Sequence, residues 1–208
     1  ETMFDDDSFA GAILEFTTNN SASYTSTNNL TRASGLEFML NKIILSGNFA
    51  GGSNRSGTVT GNPLLLTKDL AGAGPQIVLD ATSAGGPEFS FNISTDIQLY
   101  DDLELTGDGN APLTISGAIS DYLDPRGLTK TGTSTWVLNG VNSYSSGTTI
   151  SGGTLSVNSL ANGGADSAIG NSSNAAGNLV LSGGTLSYTG ATTSTDRNFT
   201  LTNGTSNT

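Results

Sequence analysis

"GLTKTGTSTWVLNGVNSYSSGTTISGGTLSV" runs from Gly127 to Val157 and holds one lysine, no acid, no histidine and no cysteine. Most of it is glycine, serine, threonine and asparagine, a composition often met in disordered segments. Yet large apolar residues return at strand spacing, Trp136 with Leu138 and then Leu155 with Val157, with turn residues between the groups. Such alternation predicts short strands with one buried face, in which Trp136 points inward beside Leu138 and Val137 points out.

The same period of two continues on both sides. Leu36, Phe38 and Leu40, then Phe89, Phe91 and Ile93, then the pairs Ile97/Leu99, Leu103/Leu105 and Leu113/Ile115 follow it. Leu179/Leu181, Leu186/Tyr188 and Phe199/Leu201 extend it towards the end, while helical spacing is almost absent. "SGGTLS" occurs at Ser151 and again at Ser182, an offset of 31 residues, and "TISG" occurs at Thr114 and Thr149. The small polar insert from Asn158 to Gly177 reads as a loop between two copies, with a short turn of helix over Ala165 to Ile169.

Three all-β architectures fit short one-sided strands. A sandwich needs hairpins, and Asn-Gly at Asn139, Asn162 and Asn203 with Asp-Gly at Asp108 keeps it open. A propeller would repeat aromatic signatures that are absent. A parallel β-helix explains most, because apolar residues stack in its interior while Thr, Ser and Asn form ladders between coils. We therefore expect one β-helical segment over residues 1–208, a piece of a longer chain, with Leu105, Ile115, Leu138, Ile150, Leu155, Leu181, Leu186 and Leu201 pointing inward.

Composition narrows function by exclusion. Charged residues make up only 12% of the 208, with seven basic against eighteen acidic, a net charge of −11. That argues against nucleic acid, which needs a positive footprint, and against anionic membrane surfaces. Without cysteine or histidine there is no disulfide framework and no Cys/His metal site. No stretch approaches the ~20 apolar residues of a membrane helix, so membrane insertion by this segment is not expected.

The opening stretch resembles the autotransporter-associated β-strand repeat, also called the passenger-associated transport repeat. Gly127, Leu128, Thr129, Lys130, Gly132, Thr135, Leu138, Gly140, Asn142, Tyr144, Thr148, Ile150, Gly153, Thr154 and Leu155 fall at its characteristic positions. Two positions depart from it: Ser134 replaces a glycine and Trp136 replaces the common leucine, and the glycine that follows the tyrosine comes late, at Gly147. The resemblance implies a right-handed parallel β-helix, exported and displayed on or released from a bacterial surface. It implies no catalytic residue in the motif, and it assigns Lys130 to a coil surface.

Candidate chemistry is sparse. The densest acidic stretch, "YDDLELTGDGN", offers Asp101, Asp102, Glu104, Asp108 and Asn110, and oxygens of this kind could hold Ca²⁺. Its spacing matches neither an EF-hand nor a glycine-rich calcium repeat, so a solvated strand edge is the favoured reading. Asp5, Asp6 and Asp7 read as a solvated terminus. No nucleophile–base constellation can be assembled when Lys42, Lys68 and Lys130 are the only lysines and histidine is missing, so no enzyme activity and no cofactor are expected. Tyr24, Tyr100, Tyr122 and Tyr144 would stack on sugars if they were aligned and exposed; packing at coil corners is the favoured reading.

The leading functional expectation is thus an extracellular structural protein of a bacterium: a surface stalk, fibre or matrix component. The alternative is an adhesin recognising glycan or a cell surface. The expected partners are further coils of the same chain or a head-to-tail copy, because the C-terminal end, with Phe199 and Leu201 read as inward, shows no capping plug.

Overall fold

The computed structural model describes residues 11–18, 23–29, 38–49, 55–83 and 89–202. Leu36, Asn203 and the run Asp5 to Asp7 lie outside the described residues. Every pairing between described strands is parallel, which removes the hairpin sandwich. The strands stack coil upon coil into three sheets, and the chain is a parallel β-helix.

The first sheet runs Ile13–Thr18, Lys42–Phe49, Gln76–Leu79, Leu103–Thr106, Leu128–Lys130, Thr148–Ile150, Leu179–Leu181 and Thr200–Leu201, with Thr82–Ser83 set to one side of Lys42–Phe49. The second runs Tyr24–Asn28, Arg55–Gly61, Phe89–Ile93, Leu113–Ile115, Thr135–Leu138, Thr154–Val157 and Thr185–Tyr188. The third is shorter: Phe38–Leu40, Leu64–Leu66, Ile97–Leu99 and Ile119–Asp121. One coil visits the sheets in that order, so consecutive strands never pair with each other and only neighbouring coils do.

The period of two now has its cause. Val59, Ile93, Ile115, Leu138 and Val157 form one interior column of the second sheet, and Phe91, Leu113, Trp136 and Leu155 lie beside it. All nine are essentially buried. Each side chain stacks on the one a coil below, so the core is a set of parallel rows. Their apolar burial is the main favourable term, at about 1.5–3 kcal/mol per fully buried large aliphatic side chain.

Glycine closes the strands because turns stack as tightly as strands do. Gly107 has φ +106°, and a Cβ there would lie 2.2 Å from the Leu79 carbonyl oxygen one coil below. Gly132, with φ +64°, sits over Gly107 and would meet its carbonyl oxygen at 2.4 Å. Both the backbone conformation and the space demand glycine there.

The repeat offset of 31 residues is structural. Thr154 pairs with Thr185 and Leu155 with Leu186, so the two "SGGTLS" copies lie in register. The coil before is shorter, with Thr129 paired to Thr149. The difference is absorbed between Val157 and Leu179. There the expected helical turn over Ala165 to Ile169 does not form. Ser167 instead bridges back to Asn142, and Ala168 and Ile169 are buried as the third side of the coil. Their backbone is spent on that bridge and on reaching the interior, and the only helical piece nearby is a 3-10 turn at Ala176–Asn178.

Five of the eight residues expected inside, Leu105, Ile115, Leu138, Ile150 and Leu155, are 0–1% exposed. Leu181 and Leu186 keep the inward register but are only half-buried. Leu201 is a correction: it stacks in register on Leu181 yet is 65% exposed, and Phe199 is 56% exposed. An inward register buries a side chain only when a coil lies on both sides, and no described strand lies beyond Thr200–Leu201.

Candidate functional site

The stretch from Gly127 to Val157 spans two coils, and its departures from the repeat prove to be partners. Trp136 is fully buried, and its indole Nε1–H donates to Ser134 Oγ at 2.8 Å. A leucine there would need no acceptor, and a glycine at 134 would supply none. Exchanging both together keeps a buried donor satisfied.

Lys130 corrects the expectation of a coil-surface position. It stands in the first sheet's inward column, between Leu105 and Ile150, and is 0% exposed. Its stem takes the place of an aliphatic side chain. Its ammonium donates to the carbonyl oxygens of Thr131, Gly132 (3.2 Å) and Gly152 (3.3 Å), which face the interior at the glycine turns. Burial pushes its pKa down to about 8, with the nearby Asp108 charge opposing the shift. A long flexible stem with three donors suits a cluster of inward carbonyls.

Asn142 replaces a strand. The third sheet ends at Ile119–Asp121, and in the next coil Asn142 Oδ1 accepts from the Ile119 N–H at 2.9 Å while Nδ2 donates to the Ala168 carbonyl at 2.8 Å. One buried amide thus carries the ladder across three coils. Tyr144 is likewise buried, its hydroxyl 2.7 Å from Thr148 Oγ1, and burial holds the phenol protonated well above its usual range. It is no sugar platform. Gly153, with φ +60°, faces the Ser134 carbonyl.

The acidic stretch is distributed rather than gathered. Asp101 accepts from the Lys68 N–H at 2.9 Å and from Thr67 Oγ1, and Asp102 accepts from the Gly127 N–H at 2.8 Å. Glu104 accepts from Gln76 Nε2 and Thr131 Oγ1, both at 2.6 Å. Asp108 accepts from Thr133 N–H and Oγ1 at 2.9 Å, and these bonds lower its pKa. Each carboxylate is engaged with a neighbouring coil. Among the described residues no group of three or more acids is placed to hold a metal.

Two tyrosines do align. Tyr100 and Tyr122 follow stacked strands of the third sheet, and their rings lie 5.9 Å apart at an interplanar angle of 36°. Tyr100 is 38% exposed and Tyr122 half-buried. The sequence offers both among four candidate tyrosines but hides their alignment, because 22 residues separate them; aligning the chain by coils brings both to the position after the third strand. Sequence reading missed Arg197. This buried guanidinium reaches back from a later coil to the carbonyl oxygens of Ala161, Ala165, Gly170 and Ser172, at 2.9–3.1 Å. It pins the long excursion between Val157 and Leu179. No sequence pattern announces an arginine bonded to scattered carbonyls.

The passenger-associated-transport-repeat family model matches residues 128–157. The chain is 54% identical over 96 residues, 46% of its length, to the adhesin BmaC autotransporter of Brucella suis biovar 1 (strain 1330). The matched stretch spans only 3% of that protein's length. No solved structure matches the chain. The chain is thus a parallel β-helix that carries a passenger-associated transport repeat across two of its coils and is similar, over 96 residues, to a stretch of an autotransporter adhesin.

Proposed function

We propose that this segment is a non-catalytic shaft within a bacterial surface adhesin, a stiff spacer that holds recognition surfaces away from the cell. The observation that carries the reading is the way successive coils are sewn together. Beyond the main-chain ladders, side chains cap N–H groups a coil away: Asp96 at Ala118, Asp102 at Gly127, Asp108 at Thr133, Asn142 at Ile119 and Asp121 at Ser145, all at 2.8–2.9 Å. Charge-assisted bonds to backbone N–H are roughly twice as strong as neutral ones, and they concentrate at the corners where strand ladders lapse. The similarity to an adhesin supports the setting. The absence of histidine and cysteine, with Lys130 sealed from solvent, supports a non-catalytic role.

Tyr188, Phe199 and Leu201, exposed on the last described coils, support a second element of the proposal: another β-coil stacks at that end. Pulling the chain by its ends in an optical trap tests the shaft. The expected record is resistance followed by stepwise release of about 70 Å per 20-residue coil, from ~3.4 Å per extended residue. Smooth extension like a flexible polymer would overturn the reading.

A further inference from the structure

The exposed large apolar residues are not scattered evenly. Away from the end strands, Leu70 is 78% exposed, Tyr100 38% and Leu123 71%, while Val141, 64% exposed, stands apart between Thr135–Leu138 and Thr148–Ile150. With Tyr122 they occupy one corner of three successive coils, where the chain leaves the third sheet for the first. Leu70 lies on the loop between Leu64–Leu66 and Gln76–Leu79. Tyr100 lies between Ile97–Leu99 and Leu103–Thr106, and Tyr122 and Leu123 between Ile119–Asp121 and Leu128–Lys130.

These side chains are held out by built turns. Asp69 Oδ1 accepts from Ala71 N–H (2.9 Å) and Ala73 N–H (2.8 Å), fixing the loop that carries Leu70. Asp121 Oδ1 accepts from Arg126 N–H at 2.9 Å and closes the loop that carries Tyr122 and Leu123. A preorganised apolar surface needs little ordering when a ligand arrives.

We infer that this corner is a binding site for a neutral saccharide, stacked on the Tyr100–Tyr122 pair and bordered by Leu70 and Leu123. Four features select that ligand. Tyr100 and Tyr122 set two tilted rings side by side, joining aromatic carbon with phenolic hydroxyls, and such amphipathic side chains suit a sugar's C–H face and hydroxyl edge. The corner has no surplus cation: Lys68 lies 3.8 Å from Asp101, and Arg126 Nη2 3.4 Å from Asp124, so an anionic glycan finds no unpaired positive charge. The patch is four side chains, one of them half-buried, against the roughly 20–30 residues a side of a standard protein interface. Three coils at ~4.8 Å spacing make a ridge about 10 Å long, the scale of a short oligosaccharide. The site goes beyond the shaft reading and does not depend on it.

The test is titration calorimetry of the whole 208-residue chain with neutral hexasaccharides of glucose, N-acetylglucosamine, mannose and galactose, and with polygalacturonate as the anionic control. We expect at least one neutral hexamer to bind and the control not to bind. Tyr100→Ala and Tyr122→Ala should each weaken binding by up to about tenfold, the scale of one aromatic contact, with an unchanged circular dichroism spectrum. Should either tyrosine variant unfold, Leu123→Ser, at an exposed position, should still weaken binding. No binding by any neutral hexamer at millimolar concentration would overturn the inference, as would binding unaffected by these changes or tighter binding of the control. Cell capture that survives enzymatic removal of surface glycans but is lost in Tyr100→Ala would assign the corner to a protein partner, and would overturn it equally.

Discussion

Replacing Lys130 with methionine removes the charge that stands in the first sheet's inward column. Lys130 titrates near 8 in the folded chain against an ordinary value of 10.5, and burial is the main cause. Between those values the unfolded chain holds a proton that the folded chain has released, so stability rises with pH across that window. At about 1.36 kcal/mol per pKa unit, the full rise is about 3 kcal/mol. Buried Tyr144 and part-buried Tyr24 act in the opposite sense, because burial keeps their phenols protonated in the fold after the unfolded chain has ionised. Their contribution is complete below pH 10 and is lost above it. The native chain should therefore gain stability from pH 8 to 10 and then turn over. Lys130→Met removes the cost of burying the charge, but it leaves the carbonyls of Thr131, Gly132 and Gly152 without this donor, at about 1 kcal/mol each. At pH 7 the two effects nearly cancel, and the diagnostic is the slope. Urea unfolding followed by Trp136 emission at pH 7, 8, 9 and 10 reads it directly. An equal rise in Lys130→Met, or a flat native profile from pH 8 to 10, would refute the assignment of the interior ammonium as the titrating group.

Other expectations follow from single contacts. Ser134→Gly leaves the Trp136 indole N–H buried without its acceptor and should cost about 1–3 kcal/mol, whereas Trp136→Ala should cost ~3–5 kcal/mol as a large-to-small truncation. In a double-mutant cycle with Trp136→Leu, the combined exchange should cost less than the sum by about 1 kcal/mol; strict additivity would show that the 2.8 Å contact carries no energy. Asn142→Ala breaks two buried bonds, and its loss of about 2–4 kcal/mol should appear as faster hydrogen exchange at the Ile119 N–H. Arg197→Met should expose the excursion at 158–178 to proteolysis while protection in the second sheet persists; unchanged cleavage there would contradict the pinning role.

The interior was legible because an inward row is written as alternation within each strand, and alternation survives in one sequence. Trp136 and the register of the two "SGGTLS" copies follow directly from it. What escaped was anything fixed by the coil above or below. Lys130 reads as a surface residue until the inward carbonyls of Gly132 and Gly152 are placed around its ammonium. Leu201 alternates correctly and is nevertheless exposed, since alternation gives direction and not cover. Ala168 and Ile169 sit in a polar insert with no period at all, and only the bridge from Ser167 to Asn142 makes them core. The alignment of the tyrosine pair was invisible for the same reason: coil lengths vary, so vertical neighbours have no constant spacing in the chain.

Variable coil length has a consequence for how such a chain diversifies. The connection between Leu138 and Thr148 is short and that between Val157 and Leu179 long, yet both deliver the following strand to the same register. Lengthening a connection of this kind costs under about 1 kcal/mol of loop-closure entropy, because that term grows only with the logarithm of loop length. Every corner is therefore an independent site at which a lineage can splice in new sequence and discard it again, while the rows beneath keep their partners. The outer surface is thereby open to redrawing one coil at a time without refounding the column that bears it.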